Sequence, residues 1–166
     1  MAIVFIAVLL GGIFLLDRSN RQARDTIRKH HLQDIEDALY LARNLNGTFP
    51  PYDQPHWCGR LNAPANAEVK QQVEQALRQK IEKYSNPEKP FPTDPLRSEN
   101  STQILTTRYS PQPNNDYFYW KRSPAVFELY SILEADRNGN RTTENCPTDP
   151  NLQYDYGLNS ALRENV

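Results

Sequence analysis

The chain has little of what enzymes and nucleic-acid binders usually carry. Lys and Arg total 19 against 20 Asp and Glu, a net charge of -1, so no basic field gathers nucleic acid. Its two cysteines, Cys58 and Cys146, stand alone without a CxxC partner, which argues against a thiolate zinc site. No GxSxG, HExxH, GxGxxG or P-loop pattern occurs, and no nucleophile stands beside a base. Apolar residues are scarce at 38%, and the mean hydropathy is -0.77, which excludes a multi-span membrane protein. The length of 166 residues suits one domain, or one domain plus an anchor. A non-enzymatic chain is expected.

What apolar character there is gathers at one end. Ala2 to Leu16 reads AIVFIAVLLGGIFLL, without a charge. As a helix it covers roughly 22 Å, short of the ~30 Å hydrocarbon core of a bilayer. It has the length of a signal-peptide core, but no basic residue precedes it and no small-x-small site follows. Arg18, Arg21, Arg24, Arg28 and Lys29 come next, opposed locally by Asp17 and Asp25. The positive-inside bias turns this flank toward the cytoplasm. Two expectations follow. One is an ordinary anchor with a cytoplasm-facing domain. The other is a native chain that starts upstream of Met1, where further apolar residues and a basic leader repair both length and orientation.

From Asp17 the chain turns polar but keeps a helical period. Ala23, Ile27, His31, Ile35, Ala38, Leu39, Ala42 and Leu45 form one stripe. No Pro or Gly interrupts from Ile13 to Asn46, and Asn46-Gly47 then Pro50-Pro51 stop the run. One helix is therefore expected over residues 1–46, with 1–16 as its membrane or filament-core part, and a head over residues 47–166. In the head, residues 48–64 read as a Pro-rich loop. A second helix is expected from about Ala65 to Tyr84, capped by Asn66, with Val69, Val73, Ala76, Leu77, Ile81 and Tyr84 inward. Prolines exclude regular structure over residues 86–95. Strands are expected at Gln103 to Ser110, Asp116 to Arg122 and Ala125 to Leu133, joined by short links as an antiparallel meander. Residues 136–152 read as a loop, and the tail shows no strong period. The fold class is α+β: a long N-terminal helix packed on a small antiparallel sheet of three to four strands.

Few residues offer chemistry. Cys58 and Cys146 lie in separate loops and either pair in an oxidising compartment or remain thiols. His30 and His31 point about 100° apart on a helix, one toward the packing stripe and one to solvent, a poor metal pair. Asp136, Asn138 and Asn140 place oxygen donors at alternate positions, as at the start of a calcium loop. The EF-hand spacing of Gly and Glu is missing, so the choice is between a looser calcium cage, helped by Glu134, Glu144 or Asp149, and a polar turn. Asn46, Asn100 and Asn140 begin glycosylation triplets that an Asn- and Thr-rich chain produces by chance. Trp120 and the tyrosines read as sheet packing.

The order of these features resembles type IV pilins and type II secretion pseudopilins. The run from Met1 to Leu10 is similar to the stretch that follows the family's Phe-Thr-Leu-Ile-Glu start. Residues 23–28 and 32–39, then Asn46-Gly47-Thr48-Phe49-Pro50, resemble the family's helical spine and its Gly-x-Tyr-Pro exit. Phe91-Pro92-Thr93-Asp94-Pro95 resembles the Leu-Pro-x-Asp-Pro that precedes the sheet, and Phe127 to Ser131 the strand before the calcium-binding loop. The leader and the Glu of the family start are not among these residues, and the Asp136 loop departs from the family's.

The resemblance implies a pilin-like fold and a structural subunit. Ile3, Ile6, Leu10 and Ile13 would leave lipid for a helix bundle, and Gly11 and Gly12 allow close backbone approach. It implies a single-pass protein with an extracytoplasmic head, other pilin-like subunits as partners, and a periplasmic or surface filament after assembly. The rival expectation is an anchored binding module that stays monomeric, using Trp57 and residues 111–116. Adhesion, DNA uptake, motility and secretion all use such subunits, major or minor, and the sequence names none of them.

Overall fold

A computed structural model describes residues 2–86, 90–95, 116–135, 141–142, 146 and 153–160, with side chains described outside 2–14, 82–83, 141–142 and 153. Helix α1 runs Ala2–Asn46 without a break, 45 residues, or about 68 Å at 1.5 Å per residue. It ends where the sequence stops it. Gly47 takes φ 76°, and its N–H donates to Arg43 O at 2.7 Å, a left-handed cap that suits glycine.

The buried face of α1 is turned from the expected stripe. Asp25, Arg28, Leu32, Ile35, Glu36, Ala38, Leu39 and Ala42 are buried. Ile27 and Leu45, expected inside, are 43% and 63% exposed, and Ala23 is exposed as well. The shared members are those of residues 35–42, which meet an apolar core. Below Leu32 the head presents carboxylates, so charged residues face it and the alanine and isoleucine do not.

The Asn66 cap is also corrected. Pro64–Asn66 forms a 3-10 turn, and α2 follows at Ala67–Lys80. The Asn66 side chain leaves the helix end uncapped and donates Nδ2–H to Arg60 O at 2.8 Å. Ile81 is extended, which divides the expected helix, and a short α3 follows at Glu82–Ser85. Val69, Val73, Ala76, Leu77 and Tyr84 are buried as expected.

The main sheet has four antiparallel strands in the order β1-β2-β3-β6. Strands β2 (Phe118–Ser123) and β3 (Val126–Ser131) fall where expected. Strand β1 (Trp57–Arg60) lies inside the expected loop, and β6 (Tyr156–Asn159) lies in the tail that shows no period. Both are four residues long, too short to show alternation, and each becomes a strand through its neighbour: β1 on β2, β6 on β3. The loop expected at residues 136–152 holds β4 (Arg141–Thr142), which pairs with β5 (Gln153–Tyr154) in a separate two-stranded sheet. The strand expected at Gln103 to Ser110 lies outside the described residues.

Alternation along β2 and β3 sends side chains to two faces. Tyr117, Tyr119, Phe127 and Leu129 meet Leu32, Ile35, Leu39 and Ala42 of α1, Val73 and Leu77 of α2, and Phe49 in the larger core. Phe118, Trp120 and Tyr130 lie on the opposite face with Cys58, Cys146 and Tyr154.

Candidate functional site at the base of the helix arm

Helix α1 has two parts. Residues 15–20 are all exposed, with Leu15 at 72% and Leu16 at 66%, and among the described side chains of α1 the first buried one is Asp25. Residues 15–20 thus form an arm clear of the head, and the part of α1 from Asp25 onward is the spine. The site of interest is the joint between them.

Arg28 is the hub of that joint, with a side chain 1% exposed. Its Nε and Nη2 donate to Asp94 Oδ2 and Oδ1 at 2.6 and 3.0 Å, the two-pronged geometry that guanidinium and carboxylate share. Its Nη1 donates to Asp25 Oδ1 and to Glu134 Oε1, both at 2.7 Å. Arg24, one turn earlier, holds both oxygens of Glu134 at 2.8 and 2.6 Å. Asp25 turns back to the chain that leaves β3, accepting the backbone N–H groups of Glu134 and Ala135. Two arginines and three carboxylates therefore join α1, the segment 91–95 and the exit of β3.

The charges are stabilised by one another. Burial works against the Arg28 charge, but the bonds to Asp94 and Glu134 prevail and hold its pKa above the ordinary value. Burial likewise opposes the Glu134 charge, and Arg24 and Arg28 overcome it, holding that carboxyl below its ordinary range. Above the hub, His31 Nδ1 is hydrogen-bonded to Tyr117 OH at 2.7 Å, and Tyr84 OH donates to Asp34 Oδ2 at 2.9 Å.

A second fastening holds the exit of α1. Lys121 is on the inner sheet face, 1% exposed. Its Nζ donates to Phe49 O, Pro51 O and Gln54 O at 2.7, 2.7 and 2.6 Å. Beside it Tyr119 OH donates to Pro50 O at 2.6 Å. Burial lowers the Lys121 pKa.

The expected site residues distribute as follows. Ile3, Ile6, Leu10, Gly11, Gly12 and Ile13 lie on the α1 backbone, with side chains outside the described residues. Asp136, Asn138 and Asn140 lie outside them too, as do Glu144 and Asp149. Glu134, the remaining calcium helper, is committed to Arg24 and Arg28. Cys58 and Cys146 form a disulfide. His30 is exposed and His31 half-buried, as the helix geometry requires. Asn46 donates Nδ2–H to Ala42 O, and Asn100 and Asn140 lie outside the described residues. Trp57, assigned to a binding loop by the rival expectation, is half-buried in β1 against Tyr119. Asp116 is buried and accepts from Asn62 Nδ2 and Tyr117 N, while residues 111–115 lie outside the described residues.

The hub is the part that sequence reasoning misses. Arg24 and Arg28 count there as membrane-flanking charge, Asp94 as part of a proline segment and Glu134 as a calcium helper. The i,i+3 spacing of Asp25 and Arg28 is the one local signal of it.

Among the described residues no helix is long and apolar enough to cross a membrane; the apolar residues 2–14 are outside the side chains described. No group of His, Cys, Asp or Glu suited to a metal occurs among the described residues. No protein-family model, curated protein or solved structure matches the chain.

Proposed function

We propose that this chain is a non-enzymatic structural subunit of a filament of the type IV pilus or type II secretion kind, assembling through the N-terminal part of α1. The observation that carries the reading is the continuity of α1. One unbroken helix passes from the apolar residues of the N-terminus, through exposed positions 15–20, into the spine of the head. A helix of this build holds a head at a fixed distance and angle from whatever packs its apolar end. Lipid packs that end first, and the same segments of other subunits replace lipid on assembly.

Two further features support the reading. The Cys58–Cys146 bond suits a head on the oxidising, extracytoplasmic side of the membrane. The positive flank that turns the sequence toward the cytoplasm is also largely matched within the fold: Arg21 pairs with Asp17, Arg24 with Glu134, and Arg28 with Asp25, Asp94 and Glu134. The experiment is charged substitution in the N-terminal part of α1. Ile6→Asp and Leu10→Asp should abolish filament yield in the native host while the head keeps its thermal unfolding midpoint. Filaments at normal yield from either variant overturn the proposal.

A further inference from the structure

From Ser19 to Gln33 the solvent side of α1 carries no charge. Ser19, Asn20, Ala23, Thr26, Ile27 and His30 are exposed, as are two glutamines. The charged residues of the same stretch are all buried or half-buried. They turn to the head or along the flank: Arg21 to Asp17, Arg24 to Glu134, Arg28 to Asp25 and Asp94, and Lys29 with its Nζ 5.4 Å from the centre of the Tyr156 ring. At ~100° per residue, Leu16, Ser19, Ala23, Thr26, Ile27 and His30 fall within one arc of about 100°. A helix face that stays in water ordinarily gathers the charges of its helix, whereas charge is depleted where a partner covers the surface. Exposed charge returns at the two ends, with Asp17 and Arg18 before the face and Asp37 after it.

The other uncharged stretch of α1 is Ala2 to Leu16, and it matches this face in length. Each spans fifteen residues, about 22 Å of helix. Because α1 is unbroken, one copy can lie along another. A shift of 17 residues, the offset from Ala2 to Ser19, is about 26 Å. It lays the apolar stretch of one copy on the uncharged face of the next. The same shift brings the exposed Arg18 level with Ile35, between Asp34 and Asp37 of the next copy, a cation beside carboxylates.

We propose that the uncharged face of α1 from Ser19 to Gln33 is the docking surface for residues 2–16 of a second copy of this chain, parallel and shifted by about 26 Å. The parallel orientation rests on the filament reading, since all copies enter the membrane by the same end. A contact between two different surfaces related by a shift does not close on a pair and continues from copy to copy. One contact covers a strip about 22 Å by about 10 Å, far below the ~800 Å² per partner of a stable complex. Isolated pairs are therefore weak, and the contact gains strength by repetition along a row of copies.

The test uses two full-length chains with different tags, produced together in the native host. One carries Leu9→Cys and the other Thr26→Cys, positions that the shift sets level. Cys58 and Cys146 are bonded to each other, so a short bismaleimide reads the introduced thiols. Dimers carrying both tags should form at least about fivefold more than when Asn44→Cys replaces Thr26→Cys, because residue 44 lies about 27 Å further along the helix. Equal yields, or no mixed dimer in membranes or filaments, overturn the proposal. Ile27→Asp, at a residue already 43% exposed, should leave the thermal midpoint of the head in place and cut filament yield at least about tenfold, because it buries an unpaired carboxylate in the contact. Normal filaments from Ile27→Asp overturn this docking surface while the filament reading stands. Mixed Leu9–Thr26 dimers in the membranes of a host that makes no filament support the contact and count against the filament reading.

Discussion

Arg28 grips Asp94 across 66 residues of sequence with two parallel N–H···O bonds, at 2.6 and 3.0 Å. Both side chains are almost fully buried, 1% and 3% exposed. This pair sets where the arm of α1 leaves the head. It replaces the apolar contact that the helix makes one turn later at Leu32, and it ties the segment 91–95 to a helix far from it in sequence.

Removing one member of such a cluster leaves the others charged and buried. Arg28→Ala, which strands Asp25, Asp94 and part of Glu134, should cost about 3–5 kcal/mol of folding stability. Arg28→Lys should recover little, because an ammonium cannot match the two-pronged geometry. Replacing both partners, Arg28→Met with Asp94→Leu, should recover much of the loss. Urea unfolding of the three variants reads these differences directly; a loss below about 1 kcal/mol for Arg28→Ala would put the hub at the value of a surface pair.

The hub should also show in the pH dependence. The Glu134 carboxyl is held below its ordinary value of 4.5 by Arg24 and Arg28, against burial. A depressed carboxyl contributes stability that is fully present above its unfolded-state pKa and is lost as pH falls through the folded one. The native chain should therefore lose stability from about pH 4.5 downward more steeply than Glu134→Gln. Unfolding midpoints measured from pH 6 to pH 3 check this, and parallel curves would count against it.

Lys121 makes a different kind of claim. Its ammonium is the common donor to three carbonyls of residues 49–54. Lys121→Met keeps much of the apolar stem but removes all three bonds and leaves the carbonyls converging on a methyl group. A loss of about 3 kcal/mol is expected, with faster amide exchange in residues 49–57. Exchange confined to its native rate there would show that the prolines fix this segment without the lysine.

Gly157 sits where β6 crosses the Tyr130 ring. A Cβ built there meets Tyr130 Cδ1 at 2.5 Å and Leu129 O at 3.1 Å. The ring is part of the stacked outer layer and the carbonyl belongs to β3, so neither yields freely. Gly157→Ala should destabilise by about 1–3 kcal/mol, and Gly157→Val by more. Thermal unfolding of both variants measures it; an alanine variant as stable as the native chain would mean that Tyr130 moves aside at little cost.

Much of this architecture is written locally. The uninterrupted run to Asn46 and the Gly47 that takes φ 76° give α1 its extent, because helix propensity and a left-handed cap are properties of neighbouring residues. The apolar positions Val69, Val73, Ala76 and Leu77 place α2, and the aromatic and β-branched runs place β2 and β3, for the same reason. The expected α+β class follows from these elements, and the pairing of Cys58 with Cys146 is one of the two states that the sequence leaves to the redox compartment.

Tertiary structure decided the rest. Four-residue strands such as β1 and β6 have no period to read and exist because a longer strand offers them a ladder. The face that α1 buries below Leu32 depends on Asp94 and Glu134, whose positions no helical period encodes, so Ile27 stays outside and Arg28 goes in. Lys121 sits among aromatics on an inner face and is tolerated there because the chain from Phe49 to Gln54 brings three carbonyls to its end. In each case the deciding partner lies dozens of residues away, and a buried charge or a short strand acquires its meaning from that partner.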